Sequence, residues 1–309
     1  MSGIGLVLAV LISARGDVKL TIDSPEKVYR PGQKMPLKFT IENDADAEAK
    51  LDEPDSYLEG LEIRDPDDRV VKTTGKIKGI TRRTLSVEAG GFIGRTTDIS
   101  SVLPVAEEKE GFYKIRWSFG DQTSNEIRVF VMRDWIAEIE TNFGKISIEF
   151  RPDLAPNHVL SFLRLARSNY YEASTFHRII AGFMMQGGGP TPGKPEVKPV
   201  KAEFSRAKHG FGTVSAARTP DPDSATSQFF ICFGPVPQLD NLYSIFGQVV
   251  KGEELVKEIE KVKTDHVVPC PLCKPGTPPC CGRHHQDKPE MDVVIKKVTL
   301  VERKNPGKK

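Results

Sequence analysis

The run F-H-R-I-I-A-G-F-M-M-Q-G-G-G, Phe176 to Gly189, sets a cation beside apolar and amide groups and contains no nucleophile. Arg178 offers fixed, permanently charged donors, Phe183 and Met184 offer an aromatic and a thioether surface, and Gln186 adds a neutral amide. A second run, beginning at Ala217 and ending S-A-T-S-Q-F-F-I-C, brings another amide, Gln228, next to another aromatic wall at Phe230. Together the two describe a binding groove. A third cluster is of a different kind: Cys270-x-x-Cys273 and Cys281-x-x-His284 have the spacing of a tetrahedral zinc site, with Cys280 and His285 as neighbouring competitors. Disulfides or a loop without a crosslink are the other readings of this stretch. Any metal there would be structural, because a closed N/S site keeps no open position.

The first two runs, F-H-R-x-I-x-x-F-M-x-Q-G-G and S-Q-F-F-I, resemble the signature of the cyclophilin family of peptidyl-prolyl isomerases, and the form beginning A-R-T-x-D-P-D-S-A-T-S-Q-F-F at Ala217 resembles its bacterial branch. The resemblance runs from about residue 135 to about residue 301. It implies a closed antiparallel β-barrel capped by two helices, no cofactor for catalysis, and Arg178 as the catalytic residue. It further implies a proline pocket of Phe183, Met184, Phe230 and Leu239, a carbonyl contact from Gln186, and substrate contacts at Ala217, Arg218, Gln228 and Tyr243. Gln238, Tyr243, Gly189 and the proline-rich stretch Thr191 to Val200 depart from the family pattern, so the rim of the groove is expected to differ.

The chemistry so implied needs no covalent intermediate. The barrier to peptide rotation is about 18–20 kcal/mol, and rotation localises the lone pair of the prolyl nitrogen. A donor aimed at that nitrogen stabilises the twisted state more than either planar one. His177, beside Arg178, reads as a structural histidine rather than a general base, since no serine, cysteine or acid is placed by sequence to use it. A non-catalytic proline-peptide binding or assembly module using the same groove is the rival function.

The elements that must position these groups follow from periodicity. Ala137 and Ile139 alternate with glutamates, Asn142-Phe143-Gly144 turns, and Ile146, Ile148 and Phe150 alternate with polar residues: a hairpin. Pro156 opens a helix whose Val159, Phe162, Leu163 and Ala166 form one stripe; a second helix after Gly252 carries Leu255, Val256, Ile259 and Val262, and a strand at 293–301 ends the fold. Before residue 135 the period is two, as in Leu37, Phe39, Ile41 and Tyr113, Ile115, Trp117, Phe119. An immunoglobulin-like β-sandwich of about seven strands is expected over 17–134, as a spacer or a surface on which a partner docks. The whole chain is thus expected to be mostly β.

In 309 residues, 38% of them hydrophobic, there is room for two domains, and 44 basic against 42 acidic residues give a net charge of +2, which offers no electrostatic case for nucleic acid. Ile4 to Ile12 is an apolar run too short to span a bilayer, followed by the small residues Ser13 and Ala14, so residues 1–16 read as a signal peptide and the protein as exported, to a periplasm or cell envelope. Against this, no Lys or Arg precedes the run, and a cytoplasmic location is the alternative. No stable membrane insertion is expected. The domain plan is then 1–16, 17–134, and an isomerase domain over 135–303 interrupted by the Cys/His insert at 265–290, with a basic tail at 304–309. The expected partners are proline-containing segments of client proteins.

Overall fold

Alternating apolar and polar side chains become strands in both halves of the chain. The computed structural model describes residues 18–31, 33–52, 57–58, 60–71, 84–100, 109–119, 122–265 and 287–303. The N-terminal segment 1–16, the candidate ligands Cys270, Cys273, Cys281 and His284, and the tail 304–309 lie outside the described residues. The chain divides into two units, at Met132 and Arg133. No helix among the described residues is long and apolar enough to cross a membrane.

In the N-terminal unit, Val18–Asp23, Pro36–Asn43 and Phe92–Asp98 form a three-stranded sheet. A second sheet runs Val28–Tyr29, Ile127–Val131, Gly111–Phe119, Leu61–Arg64, Val70–Val71, with Gln122–Thr123 also paired to Gly111–Phe119, while Ala49–Asp52 and Thr84–Val87 pair separately. Leu37, Phe39 and Ile41 from the first sheet and Ile63, Tyr113, Ile115 and Trp117 from the second belong to one buried core. The two sheets therefore face each other, as period-two burial on one side of each requires. Phe39 meets Trp117 edge-on at 5.2 Å and Tyr57 stacks on Trp117 at 5.5 Å. Among the described residues this unit has eleven strands rather than seven. Three of them are two residues long, too short to leave an alternating pattern in sequence.

The C-terminal unit is built on one eight-stranded antiparallel sheet. Its elements are β1 (Trp135–Thr141), β2 (Lys145–Phe150), α1 (Pro156–Arg167), β3 (Arg178–Ile180), β4 (Met184–Gly187), β5 (Thr213–Ala216), β6 (Phe229–Cys232), β7 (Ile245–Lys251), α2 (Glu253–Ile259) and β8 (Ile295–Glu302). The sheet order is β3-β4-β6-β5-β7-β2-β1-β8. The expected β1–β2 hairpin is present, with Ala137 and Ile139 opposite Ile148 and Ile146. Pro156 is the first residue of α1, where its missing N–H removes no hydrogen bond. Because Ala155 cannot cap the helix, the Glu203 carboxylate does so from a distant loop, accepting from the Asn157 and His158 backbone N–H groups at 3.1 Å each. Phe162 on the buried stripe of α1 packs on Phe150, Tyr171, Phe229 and Phe246 at centroid distances of 4.8 to 5.6 Å. α2 starts after Gly252, which has a positive φ of 85° and where an added Cβ would fall 2.6 Å from the Lys145 carbonyl oxygen, so no side chain fits there.

The sheet is curled but open, not the closed barrel expected. β3 has only three residues, and the ladder ends there on one side and at β8 on the other. Across the seam the chain makes one isolated bridge, Thr175 to Val294, with Phe176 N–H donating to Val293 O and Ile295 N–H to Ser174 O. Farther along β3 its free edge is occupied by another segment: Ile179 N–H donates to Asp287 O at 2.9 Å. A strand this short, with the return of the insert lying on its edge, cannot continue a ladder to β8.

Candidate active site

The geometry of the groove follows from strand register. Arg178 on β3 lies opposite Gln186 on β4, which lies opposite Phe230 on β6; Ile180, Met184 and Cys232 repeat the alignment two residues along. Directly opposed residues share a face, and every second residue returns to it. Ile179, Met185, Phe229 and Ile231 therefore face the interior, where each is at most 1% exposed. Arg178, Met184, Gln186 and Phe230 share the outer face.

On that face Met184, Ala217, Phe230, Cys232, Val236 and Leu239 form an apolar cluster of their own, bordered by Ile180, Phe183 and Tyr243. Phe183 reaches it from the β3–β4 turn, in which Phe183 N–H donates to Ile180 O and Gly182 takes a φ of +72°. Gly182 N–H is itself held by a Glu260 carboxylate oxygen at 2.8 Å. Leu239 is the last residue of a short 3-10 helix, Pro237–Leu239, on which Gln238 faces solvent. Tyr243 meets Phe230 edge-on at 5.4 Å. Gln186 Nε2 donates to Gln228 Oε1 at 2.8 Å, which leaves the second amide hydrogen of Gln186 for another acceptor.

Arg178 is the cation of this face, with a side chain 41% exposed whose Nε donates to Asp287 Oδ2 at 3.2 Å. It also lines an open depression of about 630 Å³ with Thr175, His177, Lys288 and Asp292. The Arg218 side chain is engaged within its own wall of the groove. Its guanidinium donates to Leu242 O, Thr219 O and Pro220 O and lies over the Tyr243 ring at 4.6 Å, so it braces one wall. Ala217 N–H is bonded to Gln228 O. Burial first, and the adjacent Arg178 charge, lower the His177 pKa, so the ring is neutral at pH 7. Cys232, a member of the cluster, is fully buried, and desolvation followed by the Asp240 charge pushes its thiol up to about 12. It is inert packing.

Sequence reading overlooked a buried chain of polar groups under the groove. Asp240 Oδ1 meets His209 Nδ1 at 3.1 Å, and His209 Nε2 meets Ser215 Oγ at 3.0 Å. The imidazole stacks against Phe230 at 6.1 Å with an 18° tilt. The order acid, imidazole, hydroxyl invites comparison with a hydrolase, yet Ser215 is 0% exposed and no substrate reaches it. The backbone N–H of His209, with its ring and Lys208, brings Asp240 down to about 2. Burial lowers His209 itself, against the opposing pull of Asp240. Among the described residues no group of three or more His, Cys, Asp or Glu is placed to hold a metal.

With the groove in place, its relatives can be named. Residues 136–300 match the family model described as cyclophilin type peptidyl-prolyl cis-trans isomerase. The chain belongs to the cyclophilin-type peptidyl-prolyl cis-trans isomerase family. It is 38% identical over 179 residues to peptidyl-prolyl cis-trans isomerase B of Escherichia coli, covering 52% of this chain and 97% of that one. It is 35% identical over 176 residues to isomerase cyp18 of Streptomyces antibioticus, covering 53% and 97%. Peptidyl-prolyl cis-trans isomerase-like 2 of Cryptococcus neoformans is 35% identical over 175 residues, 54% of this chain but only 27% of that longer protein. Among solved structures, a cyclophilin-type isomerase of Cryptosporidium parvum crystallised in the presence of the dipeptide Ala-Pro is 29% identical, covering 55% of this chain and 99% of that one with a TM-score of 0.45.

Proposed function

We propose that this chain accelerates cis–trans rotation of X-Pro bonds in proline-containing segments of other proteins, and that Arg178 is the group that does so. The observation that carries this reading is the register placing Arg178, Gln186 and Phe230 side by side on the outer face, next to the apolar cluster of Met184 and Leu239. In this mechanism the proline ring occupies the cluster, bordered by Phe183. The free amide hydrogen of Gln186 holds the carbonyl before the proline, and the backbone at Ala217 and Arg218 steadies the chain on one side. As the bond twists, the prolyl nitrogen loses resonance, and the guanidinium donates to it more strongly than in either planar state. No proton or electron is transferred, so the step itself calls for no cofactor. Prolyl exchange of a short X-Pro peptide, measured by NMR with wild type and Arg178→Ala, tests this. A loss of a few hundredfold corresponds to about 3–4 kcal/mol of transition-state stabilisation; equal rates would sink the assignment, and binding without faster exchange would establish the rival non-catalytic module.

We also propose that the N-terminal unit is immunoglobulin-like and serves as a spacer or docks clients, and capture of clients by the isolated segment 17–134 tests the docking role. For the insert we propose a crosslink, either zinc held by Cys270, Cys273, Cys281 and His284 or disulfides among Cys270, Cys273, Cys280 and Cys281. Metal analysis with a free-thiol count separates the two. Export to a periplasm or cell envelope is the location that the run Ile4 to Ile12 supports, and cell fractionation checks it.

A further inference from the structure

Asp287 is the first described residue on the returning arm of the Cys/His insert, and it touches β3 twice. Its carbonyl accepts from Ile179 N–H at 2.9 Å, and its carboxylate, 11% exposed, accepts from Arg178 Nε at 3.2 Å. The residue sits at φ +52°, a left-handed conformation that Asp tolerates better than most side chains. The neck of the insert holds it there. Thr264 and Pro289 form an antiparallel bridge, Asp265 N–H donates to Lys288 O at 2.9 Å, Lys288 N–H to Asp265 Oδ1 at 2.7 Å, and Glu290 N–H to Lys263 O at 2.8 Å.

Resting on the isomerase reading above, we infer that Asp287 is a positioning residue for that reaction. By fixing Nε, it restrains a side chain that is otherwise free to swing, and leaves the two terminal nitrogens of Arg178 to meet the prolyl nitrogen. A nearly enclosed carboxylate holding a cation also keeps Arg178 from folding over its own apolar neighbours. The residues that bracket the insert, 263–265 and 287–290, then support the site through Asp287.

The test compares wild type, Asp287→Asn, Arg178→Lys and the double variant in on-enzyme prolyl exchange, with peptide affinity measured separately. Asparagine keeps the backbone carbonyl and tolerates the left-handed conformation, but lacks the charge. Expected is a fall in the exchange rate of about tenfold, the size of one charge-assisted hydrogen bond, with affinity changed by less than about twofold. In the Arg178→Lys background, where one ammonium can only hold Asp287 or face the groove, Asp287→Asn should not lower the rate further. An unchanged rate in Asp287→Asn, or the same fall in both backgrounds, overturns the inference. Should the variant not fold, the wild-type Arg178 Nε–H decides. Slow exchange of that proton with water supports the contact, and fast exchange refutes it. Failure of wild type to accelerate exchange at all would instead refute the isomerase reading.

Discussion

Replacing Arg178 by lysine would keep the charge and lose the fork, so it separates attraction from aim. A point charge on a flexible stem cannot both hold Asp287 and face the groove. Prolyl exchange should therefore fall in Arg178→Lys, by less than in Arg178→Ala, with peptide binding nearly unchanged. His209 gives a second expectation at this scale. Burial holds its folded pKa below the ordinary 6.5, so the unfolded chain binds that proton more tightly than the native one. Its contribution to stability is fully present above about 6.5 and is lost as pH falls through the lowered folded value. His177 titrates in the same direction. Asp240 adds its own loss only lower, between its ordinary 3.8 and about 2. Denaturation midpoints from pH 8 to 5 should fall in wild type and fall less in His209→Asn, and parallel curves would refute the assignment. The Asp240–His209–Ser215 chain was not legible in sequence because Asp240 is 31 residues from His209 and no motif joins them. Asp287 carries no such mark either, because it ends a cysteine-rich stretch and meets Arg178 across 109 residues.

At the scale of elements, local pattern served best where it was long. The β1–β2 hairpin and the stripe of α1 were readable because one buried face repeats over several turns or strand pairs. The eight-stranded order was not, since β3, β5 and β6 have only three or four residues each, and β5 and β6, buried throughout, show no alternation. The cap of α1 was equally unreadable, because Glu203 lies 46 residues from Asn157. That cap bears a prediction. Glu203→Ala removes the acceptor for two helix N–H groups and for His158 Nδ1, and should destabilise the fold by about 1–2 kcal/mol. Chemical denaturation of the variant measures it, and an unchanged midpoint would show that solvent caps the helix as well as the carboxylate does.

At the scale of the molecule, the residues that form the groove all come from the second half of the chain. The N-terminal unit has a separate core around Phe39 and Trp117, and none of the residues of the apolar cluster belongs to it. A fragment of residues 133–309 should therefore isomerise a short prolyl peptide within about twofold of the full chain, and an inactive but folded fragment would assign the first unit a direct part in the reaction. The resemblance of residues 135–301 to one family made this division readable, whereas the purpose of the first unit leaves no chemical mark in its side chains. The β3–β4 turn has a last consequence. With Gly182 fastened to Glu260 just past the end of α2, the lip that carries Phe183 is tied to the helix. Bulkier rings than proline would have to be turned away by a stiff threshold, and widening that threshold by cutting the tie, as in Glu260→Ala, is a route to a more permissive enzyme.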